Sequence, residues 1–139
     1  MFAMILSAGR GERMLPLTKN TPKPLLKIAG KCLIDYQIDR LSQAGISQFV
    51  VNCGRFGEKI VKHLTNNCDE GRNFLFSIED ENILDTGGGI MQALPLIDSD
   101  PFIVVNADVW TDYDYSRLFK EFTSLAHLVL VSNPEHHLD

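Results

Sequence analysis

Short apolar runs alternate with stretches of helical periodicity along this chain, and that alternation restricts the fold more than any other feature. Residues 3–7 are apolar and lead into a glycine-rich stretch, which is typical of a buried strand. From residue 33 the apolar positions recur at helical spacing as far as Gly45, a suitable helix C-cap. Further strands are predicted at 46–52, 74–78, 102–105 and 128–131, and further helices at 56–64, 90–96 and 115–122.

This order of elements predicts an α/β fold, a Rossmann-like three-layer sandwich built on a mostly parallel sheet. The length of 139 residues suffices for one core, so we expect a single domain over residues 1–139. Ligands of such sheets bind beyond the carboxyl ends of the strands, which here follow residues 7 and 105. No closing helix follows the last predicted strand, so we expect either that a C-terminal part is missing or that the chain ends here naturally.

Composition excludes several classes of protein. No apolar run approaches the roughly 20 residues that span a bilayer, and the amino end lacks the basic leader and cleavage site of a signal peptide. The three cysteines, Cys32, Cys53 and Cys68, form no CxxC pair and no disulfide framework, so a cytoplasmic protein is expected. The net charge of −5 argues against a nucleic-acid partner. The sequence makes no prediction of oligomeric state.

The basic residues are unevenly distributed. Six of the thirteen lie between residues 10 and 31, where the only acid is Glu12. They are Arg10, Arg13, Lys19, Lys23, Lys27 and Lys31. This basic segment of an acidic chain indicates either a small anionic ligand or a solvated basic loop, and charge alone leaves both open.

Two glycines, Gly9 and Gly11, follow the first predicted strand and would let backbone N–H groups approach phosphate oxygens. Two common phosphate motifs do not fit. A Walker loop requires Gly-Lys-Ser/Thr, which is absent, and a dinucleotide fingerprint requires a third glycine where this chain has Met14. That fingerprint also requires an acid at the end of the second strand, where the chain has Asn52 and Cys53. A tight turn would equally favour the two glycines.

A lysine between two prolines comes next, at Pro22, Lys23 and Pro24. The prolines stiffen the backbone on both sides, so the lysine would present its charge in a fixed position. The alternative is a solvent-exposed turn.

Together these residues carry a specific resemblance. The segment from Ala8 to Tyr36 resembles the signature of sugar-1-phosphate nucleotidyltransferases, which runs roughly Gly-x-Gly-x-Arg-x-x-Pro-Leu-Thr and then Pro-Lys-Pro. The matching positions are Gly9, Gly11, Arg13, Pro16, Leu17, Thr18, Pro22, Lys23 and Pro24. The resemblance implies nucleotide binding by Ala8, Gly9, Gly11, Glu12, Arg13 and Lys23. It also implies catalytic roles for two of these, with Arg13 holding the leaving phosphates and Lys23 steadying the α-phosphate.

A second landmark is the glycine-rich segment 85–89, which precedes the helix predicted at 90–96. Locally it could be a glycine turn that caps this helix, or a backbone surface against which a flat base lies. In the resembling family a related segment contacts the nucleobase, most often uracil or thymine. The resemblance therefore implies that Gly88 binds the base.

The third landmark is the pair Asn106 and Asp108, just past a buried strand. Such pairs are also common in loops without any function. In the resembling family the acid at the position of Asp108 binds Mg²⁺, and Asn106 would face the sugar. One carboxylate suits a magnesium ion shared with a triphosphate, because Mg²⁺ keeps waters and phosphate oxygens as its other ligands.

The segments 85–89 and 106–114 narrow the resemblance to the bacterial N-acetylmuramate 1-phosphate uridylyltransferases of cell-wall recycling, which are longer. It implies transfer of UMP from UTP to a sugar 1-phosphate with release of pyrophosphate. Since a phosphate monoester loses its second proton near pH ~6, no general base is needed. The alternatives are an inactive nucleotide-binding fragment, or a glucose or mannose 1-phosphate nucleotidyltransferase that uses dTTP or GTP. A non-enzymatic interaction module has no positive feature in its favour.

Overall fold

The computed structural model describes residues 1–67, 71–79, 84–119 and 124–132. The strands are β1 (Phe2–Leu6), β2 (Lys27–Ile28), β3 (Lys31–Cys32), β4 (Gln48–Cys53), β5 (Asn73–Ile78) and β6 (Ile103–Asn106). The α-helices are α1 (Leu33–Gln43), α2 (Gly57–Asn66) and α3 (Asp85–Ala93), and single 3₁₀ turns occur at Glu12–Met14, Lys23–Leu25, Leu94–Leu96 and Tyr115–Leu118. None of the helices in these ranges is long and apolar enough to cross a membrane.

Four strands form a parallel sheet in the order β5-β4-β1-β6. The chain runs outward from β1 through β4 to β5 and then returns to the opposite side of β1 with β6. The sheet therefore has a switch point between β1 and β6, which is where ligands bind in open parallel sheets. Strands β2 and β3 form a separate antiparallel ribbon. The predicted α/β fold with a mostly parallel sheet is confirmed.

The central strands β1 and β4 bury both of their faces, which produces the predicted three layers. Alternate residues of β1 point to opposite sides, so Ala3 and Ile5 lie in one core and Met4 lies in the other. The larger core also contains Ile34, Ile38 and Leu41 of α1 and Ile60 and Leu64 of α2. The smaller core packs Met4 and Val50 against Ala93 of α3.

Two predictions near the carboxyl end differ from the structure. Residues 128–131 form no strand; Leu128 is 75% exposed and Val131 86%. The run has strand-like composition, but within the described residues no strand pairs with it to take up its backbone hydrogen bonds. The predicted helix 115–122 is a 3₁₀ turn over Tyr115–Leu118, and residues 120–123, where it would continue, lie outside the described residues. Cys68 and the residues from 133 onward also lie outside them.

The prediction that residues 85–89 precede a helix is wrong, because α3 begins at Asp85 and contains the three glycines. Glycine costs about 1 kcal/mol relative to alanine inside a helix, so local propensity favoured a turn. Close packing accounts for Gly88, where a Cβ atom would meet the Leu84 side chain of the preceding turn, and for Gly89, where the contacts are tertiary. A Cβ atom on Gly89 would lie 2.7 Å from Glu79 Oε1 and 2.8 Å from Asn52 Nδ2, so only glycine fits there.

Candidate functional site

A cavity of about 650 Å³ lies beyond the carboxyl ends of β1 and β6, at the switch point of the sheet. It is lined by residues 6–14, 23–24, 52, 79, 85–86 and 106–108. Eight of the nine predicted site residues line it, namely Ala8, Gly9, Gly11, Glu12, Arg13, Lys23, Asn106 and Asp108. The ninth, Gly88, does not. The fold thus brings together side chains that lie up to 100 positions apart in the chain.

The glycine-rich loop is closed by a buried threonine. Thr18 is 1% exposed, and its hydroxyl donates to the carbonyl oxygen of Gly11 at 2.8 Å. Gly11 has φ +66°, and a Cβ atom there would lie 3.1 Å from Thr18 Cγ2 and 3.3 Å from Lys23 Cβ. Both the backbone conformation and the available space therefore require glycine at this position. The loop folds back onto the proline-flanked lysine, which explains why the two motifs form one wall of the cavity.

Lys23 and Asp108 form an ion pair inside the cavity, in which the ammonium of Lys23 donates to Asp108 Oδ2. Pro22 and Pro24 are both buried, which anchors the 3₁₀ turn that carries Lys23. Asp108 is held by the sheet, since the adjacent Ala107 N–H donates to the carbonyl of Leu6 at 3.0 Å. The two side chains are 32% and 31% exposed, so solvent screens their attraction in part.

The basic segment of the sequence divides between the cavity and the outer surface. Arg10, Arg13 and Lys23 line the cavity. Lys31 instead donates to Asp39 of α1. The Arg13 side chain is exposed and follows directly from the glycine-rich loop, in the 3₁₀ turn over Glu12–Met14. Half of the basic segment therefore faces the candidate site, and this favours the anionic ligand over the solvated loop.

A buried chain of hydrogen bonds supports the cavity floor, and sequence reasoning missed it. The Ser7 N–H donates to Asn52 Oδ1 at 2.6 Å, and the Ser7 hydroxyl donates to the Asn52 carbonyl. Asn52 Nδ2 donates to Glu79 Oε1 at 2.7 Å, and Glu79 Oε2 accepts from the N–H of Leu84 at 3.4 Å. Ser7, Asn52 and Glu79 are each less than 7% exposed. These bonds join the ends of β1, β4 and β5 to the start of α3.

A signal for this network exists in the sequence, because each of three apolar strands ends in a polar residue. Ser7 directly follows β1, Asn52 is the penultimate residue of β4, and Glu79 directly follows β5. A buried carboxylate is costly unless it is hydrogen-bonded, so Glu79 holds its neighbours in a defined arrangement. We interpret the network as a scaffold that fixes the edge from which the glycine-rich loop starts.

The glycine-rich segment contributes different residues from the one predicted. Asp85 and Thr86 line the cavity, whereas a Cβ atom on Gly88 would lie 2.8 Å from the Leu84 side chain. The helical conformation of α3 directs position 88 toward the preceding turn. The amino end of α3, which carries the positive end of the helix dipole, lies at the cavity instead.

The residues of the cavity fit a magnesium ion. Asp108 presents a partly exposed carboxylate at the end of β6, and Asp85 adds an exposed carboxylate to the lining. No histidine or cysteine is among the described residues that line it, so its donors are oxygens, which Mg²⁺ prefers. Lys23 occupies Oδ2 of Asp108, so a metal ion that uses this oxygen must displace the ammonium.

Sequence comparison assigns this fold and its cavity to a known family. The profile of the nucleotidyl transferase family matches residues 2–137, and the chain belongs to that family. It is 50% identical to the N-acetylmuramate alpha-1-phosphate uridylyltransferase of Neisseria meningitidis serogroup B over its whole length, and covers 62% of that protein. It is 42% identical to the enzyme of the same name from Caulobacter vibrioides over 80% of this chain and 47% of that protein.

Solved structures show the same architecture. UDP-glucose pyrophosphorylase in complex with UDP-glucose superimposes with a TM-score of 0.72 and 25% identity, over 84% of this chain and 51% of that one. HddC from Yersinia pseudotuberculosis in complex with GMP-PN gives a TM-score of 0.74 and 26% identity, over 84% and 52% of the two chains. This chain thus spans about half to two thirds of the length of the relatives described here.

Proposed function

We propose that this chain forms the nucleotide-binding part of a cytoplasmic, magnesium-dependent uridylyltransferase that transfers UMP from UTP to N-acetylmuramate 1-phosphate. One observation carries the proposal. The glycine-rich loop, Arg13, Lys23 and Asp108 line a single cavity at the switch point of the sheet, with Lys23 bonded to Asp108. The choice of UTP and of this acceptor rests on the relative from Neisseria, at 50% identity.

The reaction needs positive charge and positioning more than proton transfer. The attacking phosphate oxygen is already ionised at neutral pH, which agrees with the absence of histidine from the described cavity lining. The main barriers are repulsion between two anions and the charge that builds on pyrophosphate. Mg²⁺ bound at Asp108 would offset part of that repulsion when it is present.

The chain's own cations have distinct places in this scheme. Lys23 leaves Asp108 and donates to the α-phosphate, while Arg13, at the exposed end of the glycine-rich loop, holds the β- and γ-phosphates. Backbone N–H groups of the loop orient the same oxygens. Thr86 and the amino end of α3 line the cavity and would face the base, and Asn106 would face the sugar.

Isothermal titration calorimetry of the chain with UTP in excess Mg²⁺ tests the first half of the proposal. We expect one site, tighter for UTP than for dTTP or GTP, and much weaker when EDTA removes the metal ion. A preference for GTP would instead favour the mannose-1-phosphate guanyltransferases, which are 37% identical in the case of Gibberella zeae. No binding of any triphosphate would contradict the proposal.

Turnover is tested in a chain extended to the length of its relatives, because this chain spans only 62% of the Neisseria protein. Pyrophosphate release is measured with N-acetylmuramate 1-phosphate, glucose 1-phosphate and mannose 1-phosphate as acceptors. We expect release with the first acceptor alone. UTP binding without release from any acceptor would instead support a nucleotide-binding protein that is inactive as a transferase.

A further inference from the structure

A second cluster of metal-ligating side chains lies apart from the nucleotide cavity. The thiol of Cys32, the carboxylate of Asp35 and the imidazole of His63 each present a ligand atom, and the three atoms lie within 4.8 Å of one another. None of them lines the nucleotide cavity. Cys32 is the N-cap residue of α1, Asp35 lies in the first turn of α1, and His63 lies in the last turn of α2. The packing of two helices thus joins ligands from distant parts of the sequence.

The distances are close to those of a tetrahedral site. Zinc bonds of about 2.3 Å to sulfur and 2.0–2.2 Å to nitrogen or oxygen place the ligand atoms roughly 3.3–3.6 Å apart. In the ligand-free protein His63 Nε2 and Asp35 Oδ1 are hydrogen-bonded at 2.8 Å, so a zinc ion would move these two atoms slightly apart and draw the sulfur closer. The His63 and Asp35 side chains are 21% and 28% exposed, which leaves them room to adjust. Three protein ligands leave the fourth position to water.

The donor set selects the ion. Thiolate sulfur and imidazole nitrogen favour zinc and related transition ions, whereas Mg²⁺ and Ca²⁺ require oxygen ligands. One thiolate and one carboxylate together balance the two charges of Zn²⁺. The sulfur lies at the buried end of the cluster, since Cys32 is 4% exposed, and the partly exposed His63 and Asp35 provide the route of entry from solvent.

The second nitrogen of His63 also has a neighbour. Asn67 Nδ2 lies 3.3 Å from His63 Nδ1, which leaves Nε2 directed at the cluster. Metal-bound histidines usually donate their other N–H to an oxygen. In the ligand-free protein Asn67 Nδ2 also donates to the His63 carbonyl oxygen at 2.8 Å, so metal binding would require this side chain to move and offer its oxygen to Nδ1.

We propose that Cys32, Asp35 and His63 bind one zinc ion that links α1 to α2. The ion would strengthen the packing of α1 against α2, and none of its three ligands lines the nucleotide cavity. A metal ion that binds only the folded chain raises its stability, so zinc shifts thermal unfolding upward.

Cobalt substitution tests the proposal directly. The metal-free chain is titrated with Co²⁺, and absorption in the near ultraviolet reports charge transfer from a thiolate to the metal. We expect one equivalent of Co²⁺ to produce this band and one equivalent of Zn²⁺ to abolish it. Zinc affinity is then measured by competition with a chromophoric chelator, and unfolding is followed with and without zinc.

Variants separate this site from other metal binding. Cys32→Ser should abolish the band, and His63→Gln should weaken zinc binding at least about tenfold. Cys53→Ala and His127→Gln remove the same ligand types elsewhere and should keep the wild-type affinity. Asp108→Asn should keep the band as well, so the outcome does not depend on the nucleotide site. If circular dichroism shows that Cys32→Ser does not fold, the rate of Cys32 alkylation in the wild-type chain is measured instead. Zinc should protect this thiol from alkylation, and the proposal fails if zinc does not. An undiminished band in folded Cys32→Ser, or no band in the wild-type chain, also overturns the proposal.

Discussion

Replacement of Lys23 by methionine should move the affinities for metal ion and nucleotide in opposite directions. The substitution keeps the length of the side chain and removes the ammonium that donates to Asp108 Oδ2. In the ligand-free protein this frees a carboxylate oxygen for the metal ion. In the complex it removes the cation that we assign to the α-phosphate. A lysine that merely braced the fold would affect both affinities in the same direction.

The structure sets the size of both effects. The side chains of Lys23 and Asp108 are about one third exposed, so their pairing contributes about 0.2–1 kcal/mol after screening. Its removal should strengthen binding of Mg²⁺ alone by about 1.4- to 5-fold. A hydrogen bond to a charged group contributes about 1.5–3 kcal/mol, so affinity for UTP should fall about 10- to 160-fold. Stability should change by less than about 1 kcal/mol.

Calorimetry with Mg²⁺ alone, with UTP in EDTA and with both ligands measures the affinity for the metal ion, the affinity for the nucleotide and the coupling between them. Lys19→Met is the matched control, because Lys19 is an exposed lysine of the same basic segment that does not line the cavity. It should leave both affinities unchanged. The reasoning is refuted if Lys23→Met weakens Mg²⁺ binding, or if UTP binds the variant as tightly as it binds the wild-type chain.

Three further predictions address catalysis, packing and pH. In a chain of the relatives' full length, Arg13→Ala should lower pyrophosphate release by about two to three powers of ten without loss of structure by circular dichroism; near-normal release would show that Arg13 does not hold the leaving group. Gly89→Ala should destabilise the fold by about 1–3 kcal/mol in urea unfolding, because its Cβ would meet Glu79 and Asn52. Gly87→Ala lies in the same helix, where a Cβ meets nothing, and should be neutral or stabilising. Equal effects of the two substitutions would contradict the packing argument. Burial raises the pKa of Asp39, but the bonds from Lys31 and Arg72 outweigh it and hold that pKa below its usual value. The contribution of Asp39 to the free energy of unfolding is therefore present above about pH 4 and is lost as pH falls through the folded pKa. Urea unfolding of wild type and Asp39→Asn at several pH values should show a stability difference that shrinks toward pH 3; a constant difference would contradict this.

Periodicity predicted most of the fold because it reports which face of each element is buried. The ends of α1, β4 and β5 fall within two residues of their predicted positions, and Gly45 follows the helix it was expected to cap. Helix α3 was placed too late, since intrinsic propensity opposes three consecutive glycines in a helix and the close packing at Gly88 and Gly89 follows only from the folded structure.

The candidate site also contains both residues that the sequence predicts and residues that depend on tertiary structure. The glycine-rich loop, Lys23 and Asp108 could be found from their local pattern and a family resemblance. The network through Ser7, Asn52 and Glu79 has only a weak signal, the polar residues near three strand ends, because its hydrogen bonds depend on which strands are neighbours. The register aligns Leu6 with Asn52, and only then does Asn52 reach both Ser7 and Glu79.

The pairing of Lys23 with Asp108 implies that the two ligands of the proposed site bind cooperatively. Each side chain is the other's partner in the ligand-free protein, and each is assigned a ligand of opposite sign, a phosphate for Lys23 and a metal ion for Asp108. Either ligand alone would break the ion pair and leave one partly buried charge without its partner, which costs free energy. When both ligands bind, both charges have a partner. The free energy needed to separate the ion pair then applies once for two ligands, instead of once for each ligand that binds alone. Coupling is reciprocal, so Mg²⁺ should raise the affinity for UTP by the same factor by which UTP raises the affinity for Mg²⁺.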